Sequence, residues 1–445
     1  MRILLDQGVY DLRNKGNIAL LQVAVNRISK IWPDASLQII TLAPYILRLY
    51  CPSAYPINPN NPELRSENNS SSINKLISHT PLPVLRLLLE ARELAWRHWP
   101  HSTQSFISTK FASIPSKKTR SPLELSTDEK KPGTSRQDLT IELIRRFDLF
   151  IATGAQYMSD ACVDDALRVL DRLEAAALLG IPTAMVGQGL GPFENSDLRS
   201  RAKAVLPRVD LIFIREKKVG PALLESFGVN PDRVIFTGDD AIEMAYQLRT
   251  KIQGSRIGIS MRVAHYTQVN NNHLDAIRTV LHRMTSKYNA RLMSVPISHS
   301  AHELDDVVIQ TLLAGRDNAI VSPWRFDTPR EIIKQVGYCR IVVTGAFHTA
   351  VFALSQGIPA VCLANSTMYF EKFSGLADQF GVGCWVVDLS DRQLQEKLTQ
   401  AVDAAWMSAE QVKPQLLEAA ARQIKLGQAA YQKLFEVVEL KKVFS

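Results

Sequence analysis

The chain has 445 residues, enough for two or three domains that each bury a core of their own. Apolar residues make up 46% and charged residues 22% of the chain, which excludes a disordered, collagen-like or fibrous protein. The 52 basic and 44 acidic side chains leave a net charge of +8. This charge favours an anionic partner: a phosphorylated metabolite, anionic lipid or nucleic acid.

The first predicted strand follows directly on the initial methionine. Its apolar run ends at Asp6, which is too short for a signal peptide, and no apolar stretch of about 18 residues follows. The five cysteines form no C-x-x-C pair, so neither a disulfide framework nor a zinc site is expected. We therefore expect a cytoplasmic protein, with peripheral contact to a membrane left open.

Short β-rich runs alternate with longer helical patterns along the chain, which is typical of βαβ units around parallel sheets. The first series of predicted strands is Arg2 to Asp6, Leu37 to Leu42, Asp148 to Thr153, Thr183 to Gly187, Leu211 to Ile214 and Val234 to Gly238. The second series is Ile257 to Met261, Arg291 to Ile297, Ala319 to Ser322, Ile341 to Thr344, Pro359 to Ala364 and Trp385 to Asp388. The pattern predicts an α/β fold with two Rossmann-like parallel-sheet domains.

Composition shifts predict the domain boundaries. A polar segment, Gln247 to Ser255, separates an N-terminal domain at 1–250 from a C-terminal domain at 254–407. Residues 112–137 lack hydrophobic periodicity and predict a mobile insertion. Residues 408–445 carry apolar side chains at helical spacing and predict a C-terminal helix that packs on the domains.

Three glycine-rich loops follow strands of the first series. They contain Gly16 and Asn17, then Gly154, then Gln188 and Gly189. Ligands of open α/β sheets bind at the carboxyl ends of the strands, and small residues let a backbone approach an anion or sugar closely. The same residues are also ordinary in tight turns. None of the loops has the spacing of a P-loop or of a complete G-x-G-x-x-G motif, which disfavours those modes of ATP and NAD binding.

Two residues of the second series are the strongest candidates for chemistry. Arg262 ends an apolar strand, where a guanidinium can bind a carboxylate or phosphate, or else bridge a local carboxylate. His348 lies in the first turn of the helix that follows Thr344 and Gly345. The positive end of that helix favours the neutral imidazole and attracts an anion, so His348 is a candidate for proton transfer or else a packing residue.

Other polar residues give weaker indications. His299 ends its strand and could contact a ligand, but with His302 it has no third partner at metal-ligand spacing, so we expect no metal. Lys372 either reaches the same cleft or is a solvated helix lysine. The Leu-rich stretch from Leu82 to Trp99 carries a mixed-sign charge stripe that favours a packed helix over a membrane helix. The sequence contains no zinc knuckle and no RNP-like strand, so nucleic-acid binding is not predicted.

Several longer motifs follow one another in a fixed order. They are NKGNIALL from Asn14, GQGLGPFENSDLRSRAKAVLPRVDLIFIRE from Gly187, FGVNPDRVIFTGDDAI ending at Ile242, GISMR from Gly258, VPIS from Val295, and TGAFHTAVFALSQGIPAVCL ending at Leu363. In this combination the chain resembles the polysaccharide pyruvyl transferases. These proteins are similar in architecture to GT-B glycosyltransferases, with two Rossmann-like domains facing a cleft.

The resemblance implies an enzyme that transfers a pyruvyl group from phosphoenolpyruvate to two hydroxyls of a sugar, in cell-surface polysaccharide synthesis. It implies no cofactor and leaves the oligomeric state open. The donor is expected near catalytic His348 and near a donor-binding set: Arg262, Thr344, Gly345, His299 and Lys372. The sugar or lipid-linked oligosaccharide is expected at an acceptor-binding set: Gly16, Asn17, Gly154, Gln188 and Gly189.

One departure from the family pattern bears on the reaction. The family usually has Arg-x-His where this chain reads Ala346-Phe347-His348. Either Lys372 or Arg215 supplies the missing cation, or the donor differs, or transfer activity is lost. The alternatives are therefore a GT-B glycosyltransferase that uses a nucleotide sugar and a glycan-binding relative without catalysis.

Overall fold

The computed structural model describes residues 1–59, 81, 83–88, 136–300, 303, 305–315, 319–320 and 328–444. The predicted insertion at 112–137 falls outside these ranges, except for its last two residues. Those two residues begin a helix, Arg136–Ile144.

The N-terminal half contains a seven-stranded parallel sheet in the order β3-β2-β1-β4-β5-β6-β7. Its strands are β1 (Arg2–Asp6), β2 (Ser36–Ile40), β3 (Tyr55–Ile57), β4 (Leu149–Ala152), β5 (Thr183–Gln188), β6 (Leu211–Ile214) and β7 (Val234–Phe236). Its helices are α1 (Lys15–Ile31), α2 (Pro44–Tyr50), α3 (Arg136–Ile144), α4 (Val163–Leu178), α5 (Ser196–Val205), α6 (Gly220–Ser226) and α7 (Ala241–Gln247).

The C-terminal half contains a five-stranded parallel sheet in the order β12-β11-β10-β8-β9. Its strands are β8 (Arg256–Ser260), β9 (Leu292–Ser294), β10 (Cys339–Thr344), β11 (Ala360–Ala364) and β12 (Cys384–Asp388). Its helices are α8 (Asn271–Tyr288), α9 (Asp305–Leu313), α10 (Pro329–Val336), α11 (Phe347–Ser355), α12 (Thr367–Phe380) and α13 (Leu394–Phe444). Where a strand at Ala319 to Ser322 is predicted, Ile320 forms a single parallel bridge with Met293.

The turn from β1 into α1 shows how the sequence sets the loops at the sheet edge. Asn14 caps α1, and its side-chain oxygen accepts hydrogen bonds from the backbone N–H groups of Gly16 and Asn17. The helix therefore begins at Lys15. The glycine-rich loop is fixed in place by this cap.

The two halves share an apolar core. One cluster joins Leu20 of α1 and Ile242 of α7 to Ile333 of α10 and Phe352 of α11, all of them buried. Burial of apolar surface contributes about 25 cal/mol of stabilisation per Å². It therefore stabilises the interface between the halves as well as each half.

Helix α13 begins at Leu394, before the predicted Ser408, and extends to Phe444. Leu398 packs in the core of the second sheet, Ala420 in the shared cluster, and Tyr431 and Leu434 in the core of the first sheet. The helix therefore packs on both halves. In the described part of the chain, every helix is too short or too polar to span a membrane.

Candidate active site

The loops after β1 and β9 join the two sheets at their carboxyl edges. The Lys15 N–H donates to the Ile297 carbonyl at 2.8 Å, and the His299 N–H donates to the Arg13 carbonyl at 3.1 Å. These backbone bonds hold the first glycine-rich loop of the N-terminal half directly against the C-terminal half.

His348 lies at this junction, in the first turn of α11, and its side chain is buried. Its imidazole packs against Gly16 of α1, where an added Cβ would lie 2.0 Å from Nδ1 and 2.1 Å from Cγ. A glycine is therefore required at this point of α1, because any side chain would occupy the space of the ring.

Two buried residues of the N-terminal half approach the same imidazole. Asp239 follows β7, and its Oδ2 lies 3.8 Å from His348 Nε2 and 3.5 Å from Arg215 Nη1. Burial, and then the charges of Arg215, Lys372 and Arg262, hold the pKa of His348 well below its usual range. Burial also raises the pKa of Asp239 to about 6, against the opposing effect of Arg215.

A small pocket opens beside this group, between the halves. The charged and polar residues of its wall include Gln156, Arg215 and Glu216 from the N-terminal half, and Glu371 and Lys372 from the C-terminal half, with Gly189 and Phe347 beside them. Polar side chains from both sheets therefore meet around a single small opening.

The two cations of the pocket surround one aromatic ring. Arg215 lies over the Phe347 ring at 4.3 Å from its centroid, and Lys372 Nζ lies 5.6 Å from the same centroid and 4.8 Å from that of Tyr369. Arg215 also donates to the Gln156 side-chain oxygen. Burial, then Arg215 and Arg262, lower the pKa of Lys372 well below its usual range. Asp239, at 3.5 Å from Arg215, offsets part of the repulsion between the two cations.

Comparison with known proteins gives the chain its family. A family model described as polysaccharide pyruvyl transferase matches residues 14–367, most of the chain. The chain belongs to the polysaccharide pyruvyl transferase family. No curated protein matches the sequence of this pyruvyl transferase significantly.

Solved structures support the GT-B-like fold of this family member. A UDP-GlcNAc 2-epimerase from Neisseria meningitidis shares 14% identity, with a TM-score of 0.50 over 96% of this chain and 99% of the other. A glycosyltransferase from Rickettsia africae shares 11% identity, with a TM-score of 0.52 over 98% of each chain. UGT73P12 from Glycyrrhiza uralensis shares 12% identity, with a TM-score of 0.53 over 100% and 96% of the two chains. At these identities the likeness concerns the fold alone.

Arg262 of the pyruvyl transferase is held by local carboxylates. Its Nε and Nη2 donate to Asp305 at 3.0 and 3.1 Å, and its Nη1 lies 3.3 Å from Glu303. Asp305 also accepts the backbone N–H groups of Ile297 and Ser298. The structure therefore gives Arg262 the bridging role that the sequence left as an alternative, while its charge still acts on His348.

The other residues predicted on the donor side shape the loops around His348. Thr344 Oγ1 accepts the N–H of Ala346 at 2.9 Å, and an added Cβ at Gly345 would lie 2.6 Å from Met261 Sδ. The His299 ring is buried, with Nδ1 at 4.0 Å from an Asp306 oxygen. No group of three or more metal-ligating side chains occurs among the residues that the structure describes.

The predicted acceptor-side residues divide into two groups. Gly189 lines the pocket, and Gly16 contacts His348, with Asn17 next to it in α1. Gly154 instead allows the loops after β4 and β5 to meet, because an added Cβ would lie 2.5 Å from the Gly187 carbonyl. The Gln188 amide nitrogen is buried and donates to the Thr153 carbonyl at 2.8 Å.

Sequence reasoning did not select Asp239, Gln156 or Phe347 as site residues. Asp239 lies three residues after the end of β7, in the loop at the carboxyl edge of the first sheet, and this position was the signal that could have identified it. Phe347 lies next to His348, but its sequence position alone indicates only a core residue. Its contacts with cations come from segments that are distant in the sequence.

Proposed function

We propose that this pyruvyl transferase binds phosphoenolpyruvate at the pocket between the sheets and transfers its pyruvyl group to two hydroxyls of a sugar. The observation that carries the proposal is the convergence of Arg215 and Lys372 on Phe347, next to His348. Phosphoenolpyruvate carries a phosphate and a carboxylate on a three-carbon skeleton, and the Arg215 guanidinium and the Lys372 ammonium suit these anionic groups.

The reaction requires these groups in two steps. First, a sugar hydroxyl adds to the enol carbon, while the methylene carbon gains a proton and the hydroxyl loses one. Then the C–O bond to phosphate breaks, and the second hydroxyl adds to the same carbon and loses its proton, which closes the ketal. His348 exchanges protons with the reacting atoms, and the cations stabilise the departing phosphate.

Arg215 and Lys372 supply the cation that the Ala346-Phe347-His348 sequence lacks. Ala346 is fully buried in the apolar cluster shared by the halves. The two cations instead approach from β6 and α12 and lie over the ring of the next residue, Phe347. The planar guanidinium of Arg215 fits a carboxylate, and the compact ammonium of Lys372 fits a phosphate.

The acceptor binds on the side of the N-terminal loops, at Gly16, Asn17 and Gly189. A sugar on a lipid carrier would place the enzyme at a membrane surface, and its net charge of +8 favours an anionic one.

The test is a ligand screen followed by an activity assay. A ligand that binds the native state at about 100 times its Kd stabilises it by about 2.7 kcal/mol. We expect phosphoenolpyruvate to raise the melting temperature, and sugar acceptors to elicit phosphate release. Stabilisation by UDP and not by phosphoenolpyruvate would instead support a nucleotide-sugar glycosyltransferase. Glycan binding without phosphate release would support a non-catalytic relative.

A further inference from the structure

His348 Nε2 is a buried nitrogen without a hydrogen-bond partner among the described residues. A buried polar group without a partner is destabilising by about 1–3 kcal/mol, so its surroundings need an explanation. The acidic group that faces it is Asp239, whose Oδ2 lies 3.8 Å away.

Asp239 is itself held so that one oxygen remains available. Its Oδ1 accepts the Ala241 N–H at 2.9 Å, which fixes the carboxylate at the start of α7. Its Oδ2 has only a long contact with Arg215, at 3.5 Å. Oδ2 therefore lies between a guanidinium and an imidazole nitrogen and is fully engaged by neither.

The other face of the imidazole meets the N-terminal loop. Nδ1 lies on the side of Gly16, next to the loop where the acceptor is proposed to bind. The charged groups that act on the ring from the surrounding elements are Arg215 just after β6, Lys372 of α12 and Arg262 beyond β8. All three are positive, whereas the Asp239 carboxylate lies 3.8 Å from Nε2 and can stabilise a proton there.

We propose that Asp239 is the positioning residue of His348: its carboxylate holds the hydrogen on Nε2 and leaves the lone pair of Nδ1 free to take the proton of the acceptor hydroxyl. This inference rests on the proposed function for the identity of the proton. A contraction of about 1 Å from the present separation gives an ordinary charge-assisted hydrogen bond. The pair forms across the interface, because Asp239 belongs to the first half and His348 to the second.

The test compares Asp239→Asn with Asp240→Asn. Asp240 is the neighbouring buried carboxylate, but it pairs with Arg27 and accepts from Tyr431. Asp239→Asn presents an amide that can donate to Nε2 and so favours the other tautomer. We expect kcat to fall about 100-fold to 10,000-fold, the range of general acid–base catalysis, with the KM for phosphoenolpyruvate changed less than about threefold.

The second readout is NMR of ¹⁵N-histidine-labelled protein without substrate, with the His348 signals assigned by their loss in His348→Gln. We expect a hydrogen on Nε2 in the wild type and in Asp240→Asn, and on Nδ1 in Asp239→Asn.

If Asp239→Asn retains the wild-type tautomer and kcat, the inference is wrong. If the tautomer changes but wild-type protein never releases phosphate from phosphoenolpyruvate, the pairing stands and the proposed function fails. If Asp239→Asn does not fold, Asp239→Glu must keep the wild-type tautomer, and a changed tautomer there would also contradict the inference.

Discussion

The contact between Gly16 and His348 yields a quantitative prediction. In Gly16→Ala, the new methyl would lie 2.0 Å from Nδ1, whereas carbon and nitrogen atoms in contact are about 3.5 Å apart. The imidazole must therefore move by about 1.5 Å. Its path is restricted, since Phe347 and Phe352 pack against the ring with centroids at 5.5 and 6.1 Å.

The expected effect is large on activity and small on stability. A misplacement of about 1 Å in a catalytic group costs on the order of 100-fold in rate. Overpacking destabilises by about 1–3 kcal/mol, but replacing a helical glycine by alanine restores up to about 1 kcal/mol. We therefore expect a loss of at least about 100-fold in kcat with a decrease of about 0–2 kcal/mol in the free energy of unfolding.

The assay is acceptor-dependent phosphate release from phosphoenolpyruvate, with thermal unfolding measured in parallel. A double-mutant cycle with His348→Ala provides the control, because the smaller side chain leaves space for the methyl. In that background Gly16→Ala should stabilise the protein and cause no further loss of activity. A wild-type kcat in Gly16→Ala would refute this reasoning. An equal fold-loss of kcat on adding Gly16→Ala to the wild type and to His348→Ala would also refute it.

Three further predictions concern the charges of the site. Lys372→Gln should raise the KM for phosphoenolpyruvate about tenfold, the equivalent of about 1.4 kcal/mol, as measured by initial rates. Ala346→Arg should lower the melting temperature without improving activity, because it places a charge in an apolar cluster whose nearby pocket already holds two cations. Because the folded-state pKa of Asp239 is raised to about 6, its contribution to stability should fall as pH rises from about 4 to about 6.

Each of these predictions has a control or a result that would contradict it. Lys218→Gln removes an exposed lysine outside the pocket and should leave KM unchanged. For Ala346→Arg, a gain in kcat would mean that the site lacks a cation after all. For Asp239, urea unfolding of the wild type and Asp239→Asn is compared across pH: the stability difference should change by up to about 3 kcal/mol, at 1.36 kcal/mol per pKa unit. A constant difference would contradict the raised pKa.

The sequence predicted the strands well because parallel strands buried on both faces read as apolar runs, as in Leu211–Ile214. It missed β3, since the three residues of Tyr55–Ile57 at the sheet edge include a proline. It also placed the start of the last helix too late, because the residues from Leu394 onward share the helical pattern of the preceding domain.

The site was predictable only in part. Because both residues lie at the carboxyl edges of the sheets, the sequence indicates His348 and Gly16 separately. Nothing in their spacing shows that the His348 ring occupies the space where a side chain at position 16 would lie. The partners of Arg262 depend on the path of the loop after β9, which brings Asp305 back to it. Such pairings between distant segments are set by packing, which one sequence does not reveal.

Helix α13 also has a consequence for biosynthesis. The Tyr431 ring packs against Phe213 of β6, with centroids 5.8 Å apart, and Leu434 and Val438 belong to the same apolar cluster, so this cluster is incomplete until the ribosome has translated the far end of the helix. The nascent N-terminal half therefore exposes apolar surface for most of translation, which makes it a client for chaperones that bind such surfaces.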